Sequence, residues 1–162
     1  MSAPQGIDPR GPRFGAGITF VLALGALIAG LVVPLGATVG ARALEPGFIL
    51  LAIAWIAFAF GTIGGVSRSP FSWLFRTLVK PRLSPTTELE DPRPPRFAQG
   101  IGVVLATVGL VLQLVGVPYG LVVAAALIVI ASFLNAFVGL CLGCQLYLLL
   151  VRAGVLGRAT AA

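Results

Sequence analysis

The chain has 162 residues, of which 58% are apolar and 10% charged, and its mean hydropathy is +1.05. So few charges cannot cover the surface of a water-soluble domain of this length. The formal charge of +6 therefore points to loops held at an anionic leaflet, not to nucleic acid, because no soluble basic domain exists to bind it.

Asp8 and several prolines precede the first apolar run, and that run is too long for the core of a signal peptide, so no cleaved leader is expected. The first span is predicted at about residues 15–39, with Pro34 placed to kink or end it. The second is predicted at about residues 47–66. "SPFSWLFRTLVK" follows, with Phe71, Leu74, Phe75 and Leu78 at helical spacing and Arg76 and Lys80 on the polar edge. This pattern predicts an interfacial helix over about residues 70–80. A proline-rich linker, residues 84–95, separates the halves. The third and fourth spans are predicted at about residues 98–117 and 119–140, joined by the short turn "VGVPYG". A last interfacial helix is predicted at about residues 141–152.

The chain is written twice. "DPRGPRFGAGI" (Asp8 to Ile18) returns as "DPRPPRFAQGI" (Asp91 to Ile101), identical at eight of eleven positions. Each copy opens a two-span hairpin, so both copies share one orientation. The predicted fold is an all-α membrane protein: four transmembrane helices as two tandem parallel-repeat hairpins, each followed by a short interfacial helix. The first repeat covers residues 1–83 and the second 91–162. Ten of the eleven Lys and Arg residues fall in the termini and the central loop, and Arg42 is the exception. The expected location is the plasma membrane, multi-pass, with both termini cytoplasmic. In each motif Asp followed by Pro suits a helix start, and Arg beside Phe suits the membrane interface. A second reading makes Arg10, Arg13, Arg93 and Arg96 one cytoplasmic site for an anion, a lipid headgroup or a partner.

Cys141 and Cys144 are the only cysteines, in "GLCLGCQ". A shift of 72 residues carries Ser69 and Ser72 onto them, Phe75 onto Tyr147, and Lys80 onto Arg152. Cys141 is then expected to start the helix after the fourth span, where the helix dipole and free N–H groups favour its thiolate. Cys144, one turn on, is placed to resolve a mixed disulfide, and Gly143 is expected to leave one side open for a partner. Two cysteines buried as small apolar residues are the alternative. A lone CxxC supplies half of a structural zinc site, and no histidine is present to complete one, so no metal or cofactor is expected. A quinone-coupled disulfide generator of the usual kind needs a second cysteine pair across the membrane, and the chain has none. Asn135, less than two turns before Cys141, and Gln145 are the expected supporting polar groups. Gly61 with Gly65 and Gly139 with Gly143 make GxxxG spacings.

The duplicated DPRxPRF opening, "SPF…W…F" before Pro81-Arg82-Leu83, and "NAFVGLCLGCQ" resemble an uncharacterised family of bacterial, notably actinobacterial, four-helix integral membrane proteins with a CxGC motif. The resemblance runs from about Asp8 to Arg152. It implies cytosolic partners of the thioredoxin-like or sulfurtransferase kind. Three functions are expected in turn. The first is a thiol-disulfide or persulfide relay through Cys141 and Cys144 with such a partner. The second is a small carrier for a sulfur species or soft metal, acting as a homo-oligomer. The third is a non-catalytic scaffold or complex subunit. In all three the bilayer is a partner and nucleic acid is not.

Overall fold

The structure, a computed structural model, describes residues 6–156. It is helical, and four of its helices are long and apolar enough to cross a membrane. Helix α1 spans Arg10–Val32 and α2 is a short turn of helix at Val39–Ala43; α3 spans Pro46–Ile63. Helix α4, Pro70–Leu74, widens into a π turn over Phe75–Val79. Helix α5 spans Arg93–Val115. Helix α6, Gly120–Phe133, widens into a π turn over Leu134–Val138, and α7 spans Leu142–Arg152.

The first span differs most from its predicted limits. It begins inside the motif at Arg10, and it ends at Val32 because Val33 is extended (φ −91°, ψ 124°). A residue before proline is driven out of helical geometry, and Pro34 follows. The third span likewise begins at Arg93, earlier than the hydropathy alone suggests. Both starts have the same device. Asp8 accepts from the Arg10 N–H at 3.0 Å, and Asp91 accepts from the Arg93 N–H at 2.9 Å. Each occupies one of the N–H groups that a helix start leaves free.

Helices α1 and α5 each pack against both α3 and α6. Small residues let the backbones approach, since lipid offers no hydrophobic drive between helices. Ala16, Thr19, Ala23 and Ala26 form the buried stripe of α1. Gly102, Ala106 and Gly109 do so for α5. Phe58 lies against Gly102, and Ala124 against Gly109. Leu51 and Leu121 are fully enclosed at the centre. The connection from α5 to α6 is a tight reversal in which Gly116 and Tyr119 both take positive φ (85° and 62°).

At this reversal the loop before α3 is latched across the bundle. Arg42 donates to the carbonyls of Gly36 (2.7 Å) and Leu114 (3.0 Å). Glu45 accepts from the Gly36 N–H at 2.7 Å and from the carboxamide of Gln113. Gln113 is buried, so this pairing is what makes its polar group tolerable there.

At the other end Ile7 and Glu90 exchange both backbone hydrogen bonds, at 2.9 and 3.0 Å. This single antiparallel bridge ties together the segments that lead into α1 and α5. Ser69 stands immediately before α4, as Cys141 stands immediately before α7. Phe14 meets Phe75 at 5.8 Å between centroids, and Phe97 meets Tyr147 at 5.6 Å.

Candidate functional site

Helix α6 ends where Gly139 takes φ 77° and Leu140 donates back to the Leu134 carbonyl at 3.0 Å. The chain reverses there, and Cys141 follows in an extended conformation as the N-cap of α7. The Cys144 N–H donates to Cys141 Sγ at 3.3 Å, so the sulfur stands where a serine or aspartate oxygen caps other helices. The two cysteines are joined as a disulfide, with Cα atoms 5.2 Å apart.

Gly143 does not open the site. A Cβ there would stand 2.5 Å from Ala98 Cβ and 2.7 Å from Ala98 Cα. The glycine is needed because α7 rests its backbone directly on α5, and the side expected to be open to a partner is filled.

Open space lies beside this contact, and Ala98 and Gly143 belong to its lining together with the cysteines. A cavity of about 600 Å³ sits among α1, α5, α6 and α7, with Cys141 and Cys144 in its wall. Its mouth carries Arg13, Glu90 and Asp91, and its deeper wall is Phe58, Leu105, Leu127 and Ile128. From Ala98 to Leu105 along α5 the cavity descends about 10 Å at the helical rise, against about 15 Å for half a hydrocarbon core. Helix α7 leans on α5, and this placement leaves the space toward α6 and α1. In the first half Phe75 and Ser69 are buried at the corresponding place.

Asn135 and Gln145 both line the cavity. Asn135 is in the π turn that ends α6; such widened turns are frequent at functional sites. Gln99 and Ser132 line it too, and sequence reasoning missed Gln99. Ser132 is already committed, donating to the Ile128 carbonyl at 2.6 Å. Gln99 and Asn135 are the amide residues lining the space from α5 and α6; the Gln99 carboxamide also lies against Gly61 of α3, its carbon and oxygen 3.0 Å from where a Cβ would stand.

The four motif arginines have different partners. Arg10 is paired with Asp8 at 2.8 Å and donates to the Ser84 carbonyl at 3.1 Å. Its guanidinium, hydrogen-bonded to Asp8, holds that carboxyl below its ordinary value. Arg96 donates to the carbonyls of Thr62 (2.7 Å) and Ile63 (3.1 Å) and closes the end of α3. Arg93 and Arg96 border a separate groove with Phe97 and Val104. Arg13 is the one that faces the cysteine cavity. Its guanidinium lies over the Gly139 turn, with Nη2 3.2 Å from where a Cβ would stand. It thus lies at the end of α6 as Arg96 lies at the end of α3, two residues before Cys141. Among the described residues no three His, Cys, Asp or Glu side chains come together as a metal site.

One family model, that of a domain of unknown function (DUF4395), matches residues 7–152. No curated protein and no solved structure matches the chain.

Proposed function

The chain belongs to the DUF4395 family, and we propose that it is a membrane-embedded thiol protein whose Cys141–Cys144 pair relays electrons or sulfur to a cytosolic partner. The observation that carries this reading is the placement of both cysteines. They form the first turn of α7, close enough to bond each other, in the wall of a cavity with a cation at its mouth. When the pair is reduced, the position of Cys141 at the α7 N-terminus favours its thiolate.

In exchange with a partner disulfide, the Cys141 thiolate attacks one partner sulfur. The partner S–S bond breaks and its second sulfur leaves as a thiolate. The Cys144 thiolate then attacks Cys141 Sγ, which restores the Cys141–Cys144 bond and releases the partner as a dithiol. The reverse sequence oxidises a partner dithiol and passes through the same mixed disulfide. The expected partner is thioredoxin-like or a sulfurtransferase. The cytoplasmic side is assigned from charge: Arg10, Arg13, Arg68, Arg93 and Arg96 stand at the cysteine end, and Arg42 at the other.

The proposed architecture is two tandem hairpins about a pseudo-two-fold axis along the membrane normal. The paired capping by Asp8 and Asp91, the aromatic pairs Phe14–Phe75 and Phe97–Tyr147, and the two arginines at the ends of α3 and α6 support it. Under this reading the second copy has its cysteines beside a cavity, where the first copy buries Ser69 and Phe75.

The test is capture. Full-length Cys144→Ser in cells should yield covalent complexes released by reductant, and Cys141→Ser should not. If neither variant captures a protein, and Cys141 resists alkylation from the cytoplasmic face, the relay is wrong.

A carrier for a small sulfur species is the second reading, and the cavity favours it. The latch of Arg42, Glu45 and Gln113 closes the far end. Transport would require that latch to open.

A further inference from the structure

We infer that the cavity beside Cys141 and Cys144 is a binding site for a membrane-soluble quinone, which takes electrons from the reduced pair. This inference rests on the relay reading above and names its electron acceptor.

The chemistry of the walls selects the occupant. Below Arg13 the cavity is lined by Ala16, Phe58, Ile101, Leu105, Leu127 and Ile128. A sulfur oxyanion going deeper than Arg13 would shed its water and meet no cation. A lipid tail would meet the carboxamides of Gln99 and Asn135, which it cannot use. A flat ring with two carbonyl oxygens uses both features: apolar walls for the ring and amide N–H donors for the oxygens. Such a molecule arrives through the bilayer, and the cavity lies at a depth the bilayer reaches. A volume of about 600 Å³ lies within the usual range for small-molecule sites.

The lack of a second cysteine pair across the membrane is no obstacle in this geometry. Electron delivery and withdrawal take place at one pair, on one side. A partner dithiol reduces the Cys141–Cys144 disulfide and leaves as a disulfide. The two thiols then give two electrons and two protons to the quinone. The Cys141–Cys144 bond reforms, and the quinone leaves as a quinol. Arg13 lies over the turn just before Cys141.

The test uses the full chain in lipid nanodiscs, reduced with dithiothreitol and freed of excess reductant. The oxidant is decylubiquinone, a fully substituted benzoquinone with no ring carbon open to thiol addition. Quinol formation is followed optically, and disulfide formation by alkylation and mass. One quinol should form per cysteine pair, at a rate that saturates with quinone. Replacing Gln99→Leu together with Asn135→Leu should slow oxidation by about tenfold, as for losing one or two neutral hydrogen bonds. Ala131→Phe, which narrows the cavity, should do the same. Reduction of the pair by dithiothreitol should be unchanged in every variant, which shows the α7 turn intact. A rate that rises linearly with quinone and ignores all three substitutions overturns the site. If the pair exchanges with dithiothreitol but decylubiquinone leaves it reduced, the quinone inference alone fails. If the pair exchanges with no thiol, the relay reading fails first.

Discussion

Ile7 and Glu90 exchange both of their backbone hydrogen bonds, at 2.9 and 3.0 Å, and they occupy the same position in the two copies of the motif, 83 residues apart. A residue that pairs reciprocally with its own counterpart marks a two-fold axis, as in an isologous dimer contact. The contact supports the proposed duplication independently of the sequence identity, because the identical stretch begins only at Asp8. The axis it implies runs between the starts of α1 and α5.

The closest helix contact near the cysteines is at Gly143. Gly143→Ala should place a methyl against Ala98 and destabilise the fold by about 1–3 kcal/mol, the usual cost of overpacking. Thermal unfolding in micelles reads this. Adding Ala98→Gly should restore part of the loss and not all, because Ala98 Cα is itself only 2.7 Å from the new methyl position. Full recovery, or no loss at all, would mean that α7 does not sit on α5 as described.

Arg96 closes α3 through two carbonyls. Arg96→Ala should cost about 1–2 kcal/mol, since two acceptors lose charged donors at a water-accessible helix end. Amide exchange from Phe60 to Val66 should rise, and exchange at the Arg42 latch should stay the same. Arg96→Lys should recover only part, because one ammonium cannot match a fork that reaches both Thr62 and Ile63.

At the far end, Gln113→Leu removes the partner of the Glu45 carboxylate. The expected loss is about 1–3 kcal/mol, from a half-buried charge left with fewer hydrogen bonds. Glu45→Gln in the same chain should recover stability by removing the charge. Unfolding midpoints of the single and double variants give the coupling directly.

Asp8 sets a pH dependence. Its carboxyl is held below the ordinary value mainly by the hydrogen bond from Arg10. A group with a depressed folded pKa adds stability above its unfolded pKa, about 3.9 for aspartate. That contribution is lost as pH falls from there through the lower folded value. Asp8→Asn should therefore lower stability at neutral pH, where the wild-type carboxylate contributes, and flatten the acid side of the curve below about pH 4, where the two chains converge. Acid titration of wild type and variant by circular dichroism measures this. An unchanged acid limb would remove Asp8 from the account.

Much of the fold was legible in the residues because bilayer thickness imposes its length on any spanning helix. The ends were less legible. Hydropathy places a boundary where polarity changes, but α1 starts at Arg10 because Asp8 caps it and stops at Val32 because of Pro34. Cys141 at a helix start was legible through its counterpart Ser69. Gln99 was missed, although it is one of the three positions where the two motif copies differ. Divergence inside a repeated motif was the available signal.

By itself the sequence determined four stretches long and apolar enough to cross a membrane, ten of its eleven Lys and Arg residues in the termini and the central loop, and a cysteine pair after the last stretch. These follow from composition and spacing, which act locally along the chain. Only the tertiary structure decided that Gly143 is pressed against Ala98, that Arg13 and Arg96 serve different places, and that a cavity opens beside the cysteines. The reason is physical. Each depends on how far α7 stands from α5 and α6, and that distance is set by side chains from four separate helices.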